Sequence, residues 1–319
     1  MTKRLLVTAV ALFVAVSSAS AQVISIATPP QGSVWNTMAS VFAAQAREKA
    51  NMNITVSPVG GNEAMLRAVE AGQAEFTLDD VNDVITATAG TGEWEGKPVG
   101  KLRIIAKINP FPVGLFVRKD SGMTSIGDLK GKSVPSGWDA FPLGRSHIQG
   151  ILAAGGLTSG DVKGVPVPEL IRGVDAMTSG RVDSAFFAVG GPKVAEADAS
   201  IGGVQFLKIN PSEESLKRVQ AVRPAFYFSN VKPAPFRAGV SEPMHFVTWD
   251  NVLLTNAEVS EETVKQLLTV LADNKAAMAK AFPPLGAFDI NKAYKAFPGI
   301  EYHPGAIAFY NERNIGQVK

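Results

Sequence analysis

The sequence predicts an α/β protein of two lobes facing each other across a cleft. Three observations carry that expectation: a helix-glycine-strand pattern that occurs twice, strands alternating with amphipathic helices, and an export-type N-terminus. The first copy of the pattern runs Ala68-Val69-Glu70-Ala71-Gly72-Gln73-Ala74-Glu75-Phe76. The second runs Ala176-Met177-Thr178-Ser179-Gly180-Arg181-Val182-Asp183 into Ser184-Ala185-Phe186-Phe187, 108 residues later. In each, an apolar helical stripe (Met65, Leu66, Val69; Leu170, Val174, Met177) meets a glycine that can turn left-handed, and a small residue, an acid and a strand follow. Two such halves in one exported chain make a two-lobed ligand trap.

The N-terminus has Lys3-Arg4, an apolar run from Leu5 to Val16, then Ser17-Ser18-Ala19-Ser20-Ala21. A charged start, a short apolar stretch and small residues read as a cleavable signal over residues 1–21, with the mature chain starting near Gln22. No later run approaches the roughly 20 apolar residues of a membrane helix. The chain has no cysteine, so disulfides and thiol chemistry are excluded. Its 31 basic and 29 acidic residues become 29 of each once Lys3 and Arg4 are removed. With no basic cluster the sequence points away from nucleic acid and toward a small ligand.

Ile24 and Ile26 begin a strand, and Pro29-Pro30-Gln31-Gly32-Ser33 turns it into a helix with Val34, Met38, Val41 and Phe42 on one side and Ser33 as N-cap. Ile54 and Val56 make a second strand, Gly60-Gly61-Asn62 opens a second helix, and Phe76 and Leu78 make a third strand ending at Asp79-Asp80. A helix over 80–89, a polar loop and a strand at Ile104-Ile105 follow. The alternation predicts a mostly parallel sheet with strand ends facing one crevice. A crossover is expected at Asn109-Pro110-Phe111-Pro112, before a strand over 113–117. The second lobe then holds a strand at Ser133-Val134, helices over 144–154, 169–178 and 192–198, and strands over 182–187 and 204–207. A strand over 246–254 carries the chain back to a helix over 261–281. Lobe 1 is therefore expected over 22–112 with 250–319, lobe 2 over 113–249, joined by a two-stranded hinge.

Catalysis has no support in the motifs. His147, His245 and His303 lack metal-ligand spacing, so no metal and no cofactor are expected. Gly144-Arg145-Ser146-His147-Ile148 lacks the second glycine of a nucleophile elbow. The candidates are ligand-binding loops. Gly32 and Ser33 offer a helix start to a carboxylate or simply cap a turn. Gly61 and Asn62 repeat that arrangement one strand along. Asp80 and Asp83 either accept from a ligand's donors or complement a helix dipole. Ser136, Trp138, Phe141 and Arg145 join a strand to a helix, with Arg145 as the candidate partner of a ligand carboxylate or a solvated surface arginine. Gly190 and Gly191 end the repeated strand. Tyr227, with Arg223, precedes the return strand, and Trp35 lines the cleft or packs beneath it.

These motifs resemble the TAXI family of solute receptors for tripartite (TRAP) transporters, over essentially the whole mature length. The resemblance rests on Gly32-Ser33, Gly60-Gly61-Asn62-Glu63, Gly72-Gln73-Ala74-Glu75-Phe76, Val117-Arg118-Lys119-Asp120-Ser121-Gly122, Asp128-Leu129-Lys130-Gly131-Lys132 and Gly190-Gly191-Pro192. It also rests on His303-Pro304-Gly305-Ala306 with Tyr310 and Glu312. It implies a periplasmic receptor of the type II binding-protein fold, and a monomer is the simplest expectation for such a shuttle. Such a receptor closes on a small organic acid (a glutamate-like amino acid, a dicarboxylate or a related acid) and delivers it to TRAP membrane permease subunits, without catalysis. Departures fall at the pocket. Val34-Trp35-Asn36 replaces a tyrosine-rich stretch and Trp138 to Gly144 replaces a Gly-Ser-Gly-Thr-like loop, which points to a ligand bulkier or less polar than glutamate. The alternatives are the receptor of an ATP-driven importer, for a sulfonate or an aromatic nitrogenous ligand, and a partner that presents ligand to a sensor kinase.

Overall fold

The computed structural model describes residues 24–318, so the expected signal segment lies outside the described residues. Strand β1 (Ile24–Thr28) leads into α1 (Val34–Ala50), β2 (Ile54–Pro58), α2 (Asn62–Glu70), β3 (Phe76–Asp80) and α3 (Val81–Ala89). Ser33 caps α1 as its sequence position predicts, accepting from the Asn36 N–H at 3.2 Å. A long strand β4 (Leu102–Arg118) then leads to β5 (Ser133–Gly137), α4 (Gly144–Ala154), β6 (Lys163–Val167), α5 (Leu170–Thr178) and β7 (Ser184–Ala188). The chain continues through α6 (Pro192–Ser200), β8 (Val204–Phe206), α7 (Glu213–Val222) and β9 (Tyr227–Val231), and returns along β10 (Met244–Asn256). It ends with α8 (Glu261–Asp273), α9 (Lys275–Ala281) and α10 (Pro304–Glu312).

The repeated pattern is a repeated structure. Helices α2 and α5 and strands β3 and β7 keep the 108-residue offset, and Gly72 and Gly180 both turn left-handed, at φ 69° and 77°. The acid after each glycine has the same task. Glu75 accepts from the Ser25 backbone N–H (2.6 Å) and hydroxyl (3.3 Å), while Asp183 accepts from those of Ser133 (2.7 and 2.6 Å). Each carboxylate thus ties its return strand to the first strand of its own half, with the charge assisting both bonds.

The main sheet runs β2-β1-β3-β10-β4-β7, with β8 on β4 and β9 on β10, and a second, two-stranded sheet joins β5 and β6. Pairing is parallel in β2-β1-β3 and β5-β6 and antiparallel elsewhere. The expected, mostly parallel sheet is therefore mixed, because β4 and β10 run against each other through its centre. The expected crossover at 109–112 is part of that one strand β4. Pro110 and Pro112 sit opposite Asp250 and Thr248, next to a register irregularity of β10 between Asn251 and Val252, where a strand tolerates residues without an N–H.

The expected helix over 261–281 is two helices. Asn274 breaks it by turning its side-chain amide onto the Val270 carbonyl (2.8 Å). Three elements carried no legible pattern: β6, whose Lys-Gly-Val-Pro-Val is mostly exposed, α7, which buries just Ser215 and Val219, and β9.

Helix α10 packs on α8 through Gly305, where an added Cβ would stand 2.6 Å from the Glu261 carbonyl oxygen. Backbone cannot yield as a side chain does. Gly305→Ala is expected to cost about 1–3 kcal/mol, read as a lower urea midpoint at unchanged m-value. An unchanged midpoint would show that the α8–α10 contact adjusts freely.

Candidate functional site

An apolar cleft lies where the two repeated halves meet. Pro29, Ser33 and Trp35 wall one side, and Phe141, His147, Leu170, Phe186, Phe187 and Ala188 wall the other. Phe111 and Val113 of β4 and Trp249 of β10 form the floor. Space for water-sized molecules inside is about 40 Å³, room for a few waters. Trp35 is placed by the first turn of α1 and by its indole N–H, which donates to Asn251 Oδ1 at 3.0 Å. Its ring meets Phe111 at 5.8 Å, and Phe111 meets Trp249 at 5.4 Å. His147 stacks on Trp249 at 4.6 Å, and Phe226 covers the same indole at 4.9 Å. Such contacts make a rigid aromatic surface suited to an apolar ligand body.

Behind His147 lies a buried polar cluster. Asp80 ends β3 and caps α3, with Oδ1 accepting from the Asn82 N–H at 2.8 Å. Its Oδ2 faces His147 Nε2 at 3.1 Å and Arg223 Nη2 at 3.2 Å. Arg223 Nη1 also stands 3.5 Å from a Glu93 oxygen. Asn82 Oδ1 accepts from the Ala225 N–H at 3.0 Å. Asp79 accepts from the Asn62 amide and the Asp80 N–H, and Asp83 accepts from the Trp94 indole at 2.8 Å. The corner between β3 and α3 is thereby tied to α4 and to the chain just after α7.

Burial and pairing set the charges. Burial pushes Asp80 up, but the His147 hydrogen bond and the Arg223 guanidinium hold its carboxyl below the usual range. Burial, reinforced by Asp83 and Asp80, raises Asp79 well above it. Burial also lifts Asp83 to about 7, against Arg223 and the Trp94 hydrogen bond. Burial lowers His147, so the imidazole is neutral despite its Asp80 partner. Six buried polar atoms in this cluster have no partner: Asn62 Oδ1, Asp79 Oδ2, Asn82 Nδ2, Asp83 Oδ2, His147 Nδ1 and Arg223 Nε.

The structure brings Ser33, Trp35 and Phe141 to the cavity wall. Gly32, at φ 93°, faces Ile171, and Asn62, Asp80 and Asp83 join the polar cluster. Gly61 lies against the opposite half, since a Cβ there would stand 2.4 Å from the Ala140 oxygen. Trp138 is buried beneath the wall, edge-on to Phe141 and Phe186, and packs directly on Gly144. Gly190 and Gly191 lie just past Ala188, against Phe236 and Phe187.

Three expected ligand-binding residues, Arg145, Ser136 and Tyr227, are placed away from the cavity. Arg145 does not face the cleft: it is exposed, donates to the Gly137 carbonyl at 2.8 Å and shares a separate surface hollow with Ser136. Its helix position is the cause, because Arg145 and Gln149 form the outer face of α4 while His147, Ile148 and Ile151 form the inner one. Tyr227 lies on the side of β10 opposite Trp249 and Asn251, where its hydroxyl donates to Asp250 at 3.0 Å. His147, for which no metal role is expected, lines the cavity wall. Its place on the apolar stripe of α4 was the available signal.

Among the described residues no group of three or more His, Cys, Asp or Glu is placed to hold a metal ion, and no helix is long and apolar enough to cross a membrane. Two halves of like topology, joined by β4 and β10 and closed over a cleft, define the α/β fold of periplasmic solute-binding proteins. The chain belongs to the NMT1-like family, matching it over residues 26–313. It is similar to a solved structure described as a periplasmic transporter (15% identity, 84% of this chain and 89% of that one, TM-score 0.58). It is also similar to MatC from Rhodopseudomonas palustris with bound malate (16% identity, 83% and 89%, TM-score 0.56). A third likeness is to PhnD1 from Prochlorococcus marinus in complex with methylphosphonate (12% identity, 92% and 99%, TM-score 0.55).

The raised Asp83 makes stability depend on pH. A carboxyl whose folded pKa of about 7 exceeds the ordinary 3.8 contributes fully below the lower value, and its contribution is lost as pH rises through the higher one. Asp83→Asn keeps an acceptor for Trp94 without the charge. It is expected to melt above the parent protein at pH 8, with the gap narrowing as pH falls toward 4. A gap independent of pH would overturn this account of Asp83.

Proposed function

We propose that this chain is an extracytoplasmic solute receptor that closes on a small organic acid with an apolar body and delivers it to the membrane subunits of an ion-gradient-driven TRAP transporter. The observation that carries the reading is the aromatic cleft itself, walled by residues more than a hundred positions apart and floored by the two strands that cross between the halves. In this reading residues 22–112 with 250–319 are one lobe, 113–249 are the other, and β4 and β10 are the hinge. Opening the hinge admits ligand, and contacts made by both lobes favour closure.

Ser33 supports the acid. It stands at the cleft wall and at the start of the 17-residue helix α1, whose positive end attracts a carboxylate. Trp35, Phe111 and Phe141 support an apolar or aromatic body, and Trp35 and Phe141 fall within the departures from the resembled family at 34–36 and 138–144.

The test is a thermal-shift panel on protein unfolded and refolded to strip bound solute, with dicarboxylates, amino acids, hydroxy acids, aromatic acids and sulfonates. Saturation at about 100 times the dissociation constant adds about 2.7 kcal/mol. Shifts with carboxylates are expected; a panel in which sulfonates alone shift the protein overturns the carboxylate assignment. Gly61→Ala separates closure from folding, because its Cβ would meet the Ala140 carbonyl across the cleft. It is expected to weaken ligand at least about tenfold with an unchanged circular dichroism spectrum. Undiminished affinity would show that the halves do not close on the ligand.

A further inference from the structure

We infer that Arg223 is a charge latch between the two lobes: it neutralises Asp80 behind the cleft and so sets how readily the lobes close, without being a ligand contact. This rests on the proposed division into lobes and deepens it. In that division His147, Arg223 and Ala225 belong to lobe 2, and Asp80, Asn82 and Glu93 belong to lobe 1.

The polar contacts between the lobes are concentrated at one corner. Asp80 Oδ2 meets His147 Nε2 at 3.1 Å and Arg223 Nη2 at 3.2 Å. Arg223 Nη1 stands 3.5 Å from Glu93, and the Ala225 N–H donates to Asn82 Oδ1 at 3.0 Å. Among the described residues, every other hydrogen bond or ion pair that joins the lobes involves β4, β9 or β10, the strands of the hinge region. The corner between β3 and α3 is therefore where lobe 2 is tied down away from the hinge.

Arg223 carries the charge balance of that corner. Burial pushes Asp79 and Asp83 up, whereas Asp80 stays an anion. The side chains of Asp80 and Arg223 are both buried. The guanidinium rests 5.7 Å from the Phe226 ring of its own lobe, so it leaves with lobe 2 when the hinge opens, and both charges then regain water. With a neutral side chain at 223, closing would bury the Asp80 carboxylate without its counter-charge, while opening would still hydrate it. The loss falls on the closed state alone. Arg223 is not among the residues lining the cleft, so it acts on ligand affinity through the population of that state.

The chain has no cysteine, which suits a distance measurement between spin labels at Glu63→Cys and Arg172→Cys, exposed positions on α2 of lobe 1 and α5 of lobe 2. Double electron–electron resonance is recorded on the full-length protein after the same stripping of bound solute. Arg223→Met is expected to move the distances outward, with the open-to-closed ratio rising about a hundredfold or more. Asp80→Asn/Arg223→Met leaves no unpaired charge and keeps an oxygen to cap α3, so it is expected to return to the parent distribution. Gly61→Ala is the control, since its Cβ would force the lobes apart against Ala140 with Arg223 intact.

Distances unchanged in Arg223→Met but longer in Gly61→Ala overturn the latch and leave the lobes standing. A double variant that stays open also overturns it, because Arg223 would then act by packing rather than by charge. So does an Arg223→Met protein without the parent circular dichroism spectrum, because the pair would then hold the fold rather than the closure. Distances unchanged in both Arg223→Met and Gly61→Ala overturn the latch together with the two-lobe reading.

Discussion

Asp80 is the constraint on which the closed arrangement depends. Its carboxylate is wholly buried, and a buried charge is tolerated only when paired and hydrogen-bonded. The donors come from three places far apart in sequence: Asn82 in the next helix, His147 in α4 and Arg223 after α7. In this arrangement Asp80 is satisfied with the two halves brought together, by His147 and Arg223. Removing one partner would leave an uncompensated charge, which typically costs about 3–5 kcal/mol. Asp80 therefore links the capping of a single helix to the register between the halves.

The duplicated blueprint shows where the halves have been put to different uses. Glu75 and Asp183 sit 108 residues apart and do the same structural work on Ser25 and Ser133. At the strand ends that follow, the copies part company. The first ends in Asp79-Asp80 and the second in Phe187-Ala188. One half supplies buried carboxylates at this position and the other supplies apolar cleft wall, so equivalent backbone produces a polar cluster on one side of the site and an apolar surface on the other.

Most of the architecture was legible because it is local. The period of apolar residues, Ser33 as a cap and the two helix-ending glycines each act within a turn or two of chain, and they place α1 to α3, α4 to α6 and the repeat correctly. The sheet was legible only in part. Prolines 110 and 112 argue locally for a break, and their toleration depends on the irregular pairing of β10, which lies well over a hundred residues away. Strand β6 and helix α7 bury too little to leave an apolar stripe.

The site was harder to read because charge burial is not a local property. Arg145 looked suitable for its neighbours in sequence, a glycine, two aromatics and a helix start. Yet it stands with Gln149 on the solvent face of α4, where solvent already satisfies a guanidinium. The pairing of His147 and of Arg223, itself a cleft candidate, was hidden for the opposite reason: their partner, Asp80, is 67 and 143 residues away. What separates the two cases is helical phase. His147 shares the inner stripe with Ile148, Ile151 and Leu152, and a polar ring on an apolar stripe must find a partner in the interior. A polar residue in phase with the core is therefore a better guide to a buried binding group than a charged residue in a promising loop. Here that rule selects the one imidazole that touches both the cleft and the anion behind it.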